Sequence, residues 1–222
     1  MTRVVLKLGG RVAGVTAYHA LELYDAGYEV VVVYGAGPQI TAGLRERGIP
    51  VTFSGGRRVT DPATLAVVRA SLVAVGAEVS AALGPAALPL VGDEIGLRAH
   101  QLPGLGLVGD PLPSRPTAIE EAVAERRIPV VSPIAVGPLN VNADEAAAAL
   151  AVGLDADRIV FVSDVPGVYV EGAVVDSLHA DRADELLDAG AFEGGIVPKL
   201  LAAVRAARLG ITAEIGETTV AA

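Results

Sequence analysis

The chain is predicted to be an α/β protein, a three-layer αβα sandwich around an open, mainly parallel central sheet. Three observations carry that prediction. Short runs rich in β-branched residues at 3–8, 29–34, 129–134 and 158–163 are apolar almost throughout, the pattern of strands buried on both faces. Longer alanine-rich segments alternate with them, as helices covering a parallel sheet would. The 26 glycines and 14 prolines show no triplet period, so they act as punctuation between many short elements.

In chain order, strand 3–8 is followed by a helix at 15–26, which Gly27 ends. Strand 29–34 runs into Gly35-Ala36-Gly37-Pro38 and a helix at 38–47, stopped by Gly48. Asp61 and Pro62 supply the N-cap and first helical position of a helix at 62–83. Its apolar residues surround the axis instead of forming one stripe. A helix of that kind needs cover on every face, so it is expected to form the core of a homodimer interface. Between 85 and 113 the helical pattern lapses, and the runs 96–102 and 105–110 are predicted as an antiparallel hairpin appended to the sheet. A helix at 117–127 and strand 129–134 precede a nearly all-alanine helix at 142–153, with Asn142 as N-cap and Gly153 at its end. Strand 158–163, helices at 182–187 and 197–209, and the terminating Gly210 complete the pattern. No repeat or long polar linker divides the chain, although a change of lobe is expected near 154–157.

Composition excludes several function classes. With 222 residues the chain buries a sizeable core without staples, and with no cysteine it has neither a disulfide framework nor a thiol nucleophile. Lysine and arginine number 17 against 26 acidic residues, a net charge of −9 with no basic block. The footprint of a nucleic-acid or anionic-membrane binder is therefore missing, and any anion must be held locally. Polar residues or glycines interrupt each apolar run before the ~18 residues of a spanning helix. The start MTRVVLKLGG lacks the layout of a signal peptide, so a cytoplasmic protein is expected.

Six clusters carry chemistry. Lys7-Leu8-Gly9-Gly10 ends the first strand: glycines let backbone approach an anion and the lysine adds a point charge, though glycines here also make an ordinary tight turn. Gly35-Ala36-Gly37-Pro38 precedes a helix N-terminus, a ready anion site, but Ile40 breaks the dinucleotide fingerprint. Arg57 and Arg58 lie between glycines and a helix start; a guanidinium fork suits a carboxylate or phosphate, and only one of the pair need point inward. Capping explains Asn142 and Asp144 but not Asn140, which alternation puts on the same side as Asn142. The run 163–169 follows a parallel strand at the end where open α/β sheets bind ligands. Lys199 lies near a helix start and is followed by Leu200, so it is not part of a Walker A loop.

Jointly these describe a cleft that neutralises several negative charges, the demand of phosphoryl transfer. His19, His100 and His179 fall outside every cluster, against a histidine hydrolase or metal site. A carboxylate acceptor would be ionised at pH 7 and need no general base.

VVLKLGG (4–10), VVVYGAGPQI (31–40), GRRVTDPATL (56–65), PLNVNADEAAAAL (138–150), SDVPGVY (163–169) and GGIVPKLLAA (194–203) resemble, in order and approximate spacing, the motifs of the amino acid kinase family, most of all its N-acetylglutamate kinase branch. The resemblance implies an N-terminal lobe, 1–154, for the acyl substrate and dimerisation, and a C-terminal lobe, 155–222, for ATP with Mg²⁺. It implies that Lys7 and Lys199 stabilise the transferring phosphoryl group and that Asp144 holds both lysines. Gly35, Ala36, Arg58 and Asn140 would bind N-acetyl-L-glutamate, the first two through backbone N–H groups and the others at its carboxylate. Gly9, Gly10, Asp164, Val165, Pro166, Gly167, Val168, Tyr169, Ala191, Phe192 and Glu193 would contact nucleotide. The implied reaction is attack of the γ-carboxylate on ATP to give an acyl phosphate in arginine biosynthesis. The chain departs from the family pattern at Tyr34-Gly35-Ala36-Gly37, where His-Gly-Gly-Gly is usual. It is also short between Lys7 and Tyr34 and lacks most of the usual loop and helix before the last strand. These departures leave open a carrier-linked aminoadipate or glutamate as acceptor. A nicotinamide oxidoreductase and a non-catalytic sensing module share the fold class, but the first lacks its fingerprint and the second has no use for two lysines and an aspartate.

Overall fold

The computed structural model describes residues 2–9, 13–163 and 165–222. Gly10 and Asp164, both expected on the nucleotide side, lie outside the described residues. The central sheet contains, in chain order, β1 (Arg3–Leu8), β2 (Glu29–Tyr34), β3 (Ala87–Val91), β4 (Ile128–Ser132), β5 (Arg158–Phe161), β6 (Ser177–His179), β7 (Thr212–Ile215) and β8 (Thr218–Ala221). Their spatial order is β6-β8-β7-β5-β1-β2-β4-β3. The six strands from β7 to β3 are parallel, while β8 runs antiparallel to β7 and β6 parallel to β8.

Alternation along these strands divides the interior into two cores. Val4, Leu6, Leu8, Val30, Val32 and Tyr34 face α1 (Ala13–Asp25), α2 (Gly37–Glu46) and α3 (Pro62–Leu83). Val5, Val31, Val33, Ile159 and Phe161 face α4 (Thr117–Ala124), α5 (Ala143–Gly153), α6 (Ala180–Asp188) and α7 (Ile196–Arg208). Strands apolar on both faces thus make a three-layer αβα sandwich, the predicted class. Burial of Val68 and Leu72 on α3 illustrates the scale, each removing about 1.5–3 kcal/mol of apolar side chain from water. The segment Pro62–Ala86 is long and, at mean hydropathy 1.6, apolar enough on average to cross a membrane, although Thr64, Arg69, Ser71, Gly76 and Glu78 interrupt its apolar runs as expected. Valines and leucines sustain that average, and Val67, Val68, Leu72, Val75, Val79 and Leu83 are buried in the core on that side of the sheet.

Several expectations are corrected. The predicted hairpin forms, as Ala99–Gln101 antiparallel to Val108–Pro111, but in a separate four-stranded sheet with Leu139–Val141 and Ile134–Ala135. The predicted strand 129–134 divides, with β4 ending at Ser132 and Ile134–Ala135 joining the small sheet across Pro133. Gly27, Gly48 and Gly210 do take positive φ after their helices. Gly153 does not: it is the last residue of α5, and a Cβ there would collide with the Ser114 backbone, so close approach is what requires glycine.

Candidate active site

The C-terminal ends of β1, β2 and β5 open into a cleft of about 510 Å³. Eight of the residues to which the resemblance assigned a role line it: Lys7, Gly9, Gly35, Ala36, Arg58, Asn140, Asp144 and Lys199. They come from segments far apart in the chain, converging because parallel strands end on one edge.

At the floor, Lys7 Nζ lies 2.8 Å from Asp144 Oδ1, and Lys199 Nζ lies 3.7 Å from the same oxygen. The Lys7 contact is an ion pair without hydrogen-bond alignment, since Asp144 Oδ1 has no hydrogen-bond partner. Lys7 and Asp144 are buried, at 5% and 6% exposure, while Lys199 also donates to the Gly195 carbonyl at 3.4 Å. Asp144 is placed by helix capping: Asn142 Oδ1 accepts from the N–H groups of Asp144 and Glu145 at 2.8 and 3.2 Å. The carboxylate consequently sits in the first turn of α5, where the helix dipole favours negative charge.

On the opposite wall Arg58 is 8% exposed, with its guanidinium over the Phe53 ring at 4.6 Å. Arg58 Nη2 donates to Thr41 Oγ1 at 2.9 Å and Gly37 O at 3.4 Å, leaving Nη1 buried without a partner. Burial lowers its pKa, because the charged form loses water. Both arginines border the cleft, and Arg58 is the more buried of the pair; Arg57 pairs with Glu145 at 2.7 Å and reaches Asp110 at 3.6 Å. Asn140, unexplained by capping, donates from Nδ2 to Thr60 Oγ1 at 3.0 Å.

Gly35 requires a correction: it lines the cleft, but its N–H is donated to the Leu8 carbonyl at 3.1 Å and is not a free donor. Ala36 is the N-cap of α2 at φ −129°, an ordinary conformation, so its methyl group imposes no strain. Tyr34, beside them, turns away from the cleft and donates to the Leu72 carbonyl at 2.9 Å, under Gly76, where any Cβ would collide with the ring.

The cleft does not include the 165–169 run. Pro166 accepts from Glu217 N–H at 2.6 Å, and Val168 N–H donates to Thr218 Oγ1 at 2.8 Å, which fixes this loop to the β7–β8 turn. Val165 and Tyr169 are exposed, as is Ala191. Phe192 and Glu193 line a neighbouring cavity of about 580 Å³ that also includes Arg57, Glu145 and Arg205. Sequence reasoning missed Phe53, Thr60 and Glu145: each acts through a partner distant in the chain, and no local spacing reveals it. Among the described residues no cluster of three or more His, Asp or Glu side chains is arranged to hold a metal.

An open αβα sheet with a lysine–aspartate–lysine floor at its C-terminal edge defines a class of anion-handling α/β proteins. The chain belongs to the amino acid kinase family, whose pattern residues 2–217 match. It is 37% identical over 224 residues to the acetylglutamate kinase of Rubrobacter xylanophilus, covering 97% of this chain and 88% of the relative. It is 41% identical over 207 residues to the acetylglutamate kinase of Saccharopolyspora erythraea, covering 84% and 68%. A solved structure from Streptococcus mutans superposes with a TM-score of 0.89 at 28% identity, over 99% of this chain and 98% of the other.

Proposed function

We propose that this protein is an ATP-dependent kinase that phosphorylates the γ-carboxylate of N-acetyl-L-glutamate to an acyl phosphate in arginine biosynthesis, in the cytoplasm. The observation that carries the reading is the pairing of Lys7 and Lys199 on Asp144 in the cleft where Arg58 offers an unpartnered Nη1. Relatives at 37% and 41% identity, named acetylglutamate kinases, support the choice of acceptor.

The acceptor's α-carboxylate pairs with Arg58, which places the γ-carboxylate toward the lysines. That carboxylate is already ionised, so its oxygen attacks the γ-phosphorus directly, the bond to ADP breaks, and no proton has to move. Lys7 and Lys199 oppose the charge that develops on the transferring group, and Asp144 keeps both ammonium groups in place. Held by the nucleotide phosphates, Mg²⁺ would add to the charge neutralisation that Lys7 and Lys199 supply. Residues 155–222 serve as the nucleotide lobe, with 165–169 and 191–193 as its contacts. Residues 1–154 hold the acceptor. Two copies associate through α3, whose exposed Ala66, Ala70, Val73 and Ala77 form an apolar stripe. Light scattering at micromolar concentration gives a dimer mass if so, and a monomer mass refutes that association.

The test of function is hydroxylamine trapping of acyl phosphate with ATP and Mg²⁺ across a panel of N-acetylglutamate, free glutamate and carrier-linked acceptors. Hydroxamate formation at least about tenfold more efficient from N-acetylglutamate than from glutamate is expected, since each unpaired site group costs about 1–3 kcal/mol. Equal efficiency, or activity confined to a carrier-linked acceptor, overturns the acceptor assignment.

A further inference from the structure

Thr60 has no part in the chemistry described above, yet it is completely buried beside the acceptor wall. Its backbone is strapped to the 105–107 loop: Thr60 N–H donates to Leu105 O at 3.0 Å, and Leu107 N–H donates to Thr60 O at 2.7 Å. Gly106 permits this approach, because its φ of +77° suits glycine and a Cβ there would collide with the Thr60 carbonyl. Leu107 O in turn accepts from Asn140 N–H at 2.9 Å.

The side chain closes the circuit. Thr60 Oγ1 donates to the Arg58 carbonyl at 2.7 Å, and Asn140 Nδ2 lies 3.0 Å from Thr60 Oγ1. A hydroxyl has one proton, and here it is committed to Arg58 O. The Thr60 oxygen must therefore accept from Asn140, which sets the amide with nitrogen toward Thr60 and oxygen turned away. One buried hydroxyl so holds the backbone of the guanidinium-bearing residue and the orientation of the neighbouring amide.

We propose that Thr60 is a positioning residue for the acceptor, its hydroxyl fixing Arg58 and Asn140 in a set relation before substrate arrives. The inference rests on the reading of this cleft as the acceptor site. Thr60→Val keeps the shape and removes the hydroxyl, leaving the Arg58 carbonyl and an Asn140 N–H unpaired. The acceptor KM is expected to rise about tenfold while the ATP KM stays within about twofold, and Thr60→Ser is expected to restore the wild-type acceptor KM. A merely structural role moves neither constant selectively and shows no rescue.

Both KM values would be measured by hydroxamate trapping, with N-acetylglutamate affinity measured in parallel by calorimetry. An unchanged acceptor KM in Thr60→Val, a parallel rise in both KM values, or a serine variant as impaired as the valine variant overturns the proposal. If wild type binds N-acetylglutamate without phosphorylating it, the kinase reading fails alone and the same comparison is made on dissociation constants. If wild type neither binds nor phosphorylates it, both readings fall. Should Thr60→Val not fold by circular dichroism, Thr60→Ala replaces it against Thr60→Ser. Equal acceptor affinity in those two, or failure of alanine also to fold, assigns Thr60 to stability and overturns positioning.

Discussion

Replacing Asp144 by Asn keeps the shape of a buried side chain and removes the charge that two lysines share. At an effective dielectric of about 20, attraction is worth about 6 kcal/mol across the 2.8 Å to Lys7 and about 4.5 kcal/mol across the 3.7 Å to Lys199. Desolvation offsets most of that sum, since all three groups are largely withdrawn from water. What the substitution removes is the carboxylate that both ammonium groups share, and breaking a buried pair in this way costs about 3–5 kcal/mol. Loss of a negative charge from the first turn of α5 adds about 0.3–1 kcal/mol. Turnover is expected to fall further than stability alone explains, by about 10²–10³, because displaced donors no longer meet the developing charge. Urea unfolding gives the first quantity and initial rates of hydroxamate formation, on protein shown to be folded, give the second. A variant within about 1 kcal/mol of wild type and within threefold in kcat refutes the shared-counter-ion argument.

Arg58→Lys is expected to raise the acceptor KM at least about tenfold with little change for ATP, because a point charge cannot reproduce a fork; the same phenotype from Arg57→Lys instead moves the assignment to the other arginine. Burial raises the pKa of Glu145 against the opposing pull of Arg57, so the folded state holds this proton more tightly than the unfolded chain. Its contribution to stability is therefore complete below the ordinary glutamate range and lost as pH rises through the raised value. Glu145→Gln is expected to flatten that slope in urea titrations from pH 4 to 7, and identical slopes refute the argument. Tyr34→Phe should cost about 1 kcal/mol at pH 7 by removing the buried hydrogen bond that the phenol donates to the Leu72 carbonyl. Burial pushes the Tyr34 phenol up to about 12, so wild type loses stability as pH rises from the ordinary tyrosine value through 12 and the phenylalanine variant does not; unfolding curves at pH 8 and 11 decide it.

Fold class was legible because both faces of β1 and β2 are buried, which forces continuous apolar runs whose ends coincide with the predicted ones. The bounds of α3 were legible too, since Asp61 and Pro62 open it and Gly84 at φ +72° closes it. The edge strand β3 was not: it contains Pro89, a residue that argues against a central strand and is tolerated at an edge. β7 and β8 were missed because Thr212, Glu214 and Thr219 interrupt the apolar pattern on strands with one less-covered face. In the site, Lys7, Asp144 and Lys199 have no local signal that pairs them, and their association came from resemblance to a family. Thr60 and Glu145 were illegible because their roles depend on Asn140 and Arg57, 80 and 88 residues away in the chain.

The clamp between the 165–169 loop and the β7–β8 turn has a consequence for how the protein is made. Thr218 Oγ1 accepts from Val168 N–H and donates to the Val175 carbonyl at 2.6 Å, so one buried hydroxyl ties two segments synthesised 50 and 43 residues earlier. Strands β1 to β4 and their helices are complete well before β7 and β8 exist. A nascent chain can assemble the wall that carries Arg58 as it emerges, in keeping with N-terminal parts folding first. The loop after β5 must wait, because α6, α7 and β7 emerge before its partners do. The two halves of the cleft therefore mature in sequence, and the lysine–aspartate–lysine floor, which needs Lys199 from α7, is assembled only once α7 has emerged.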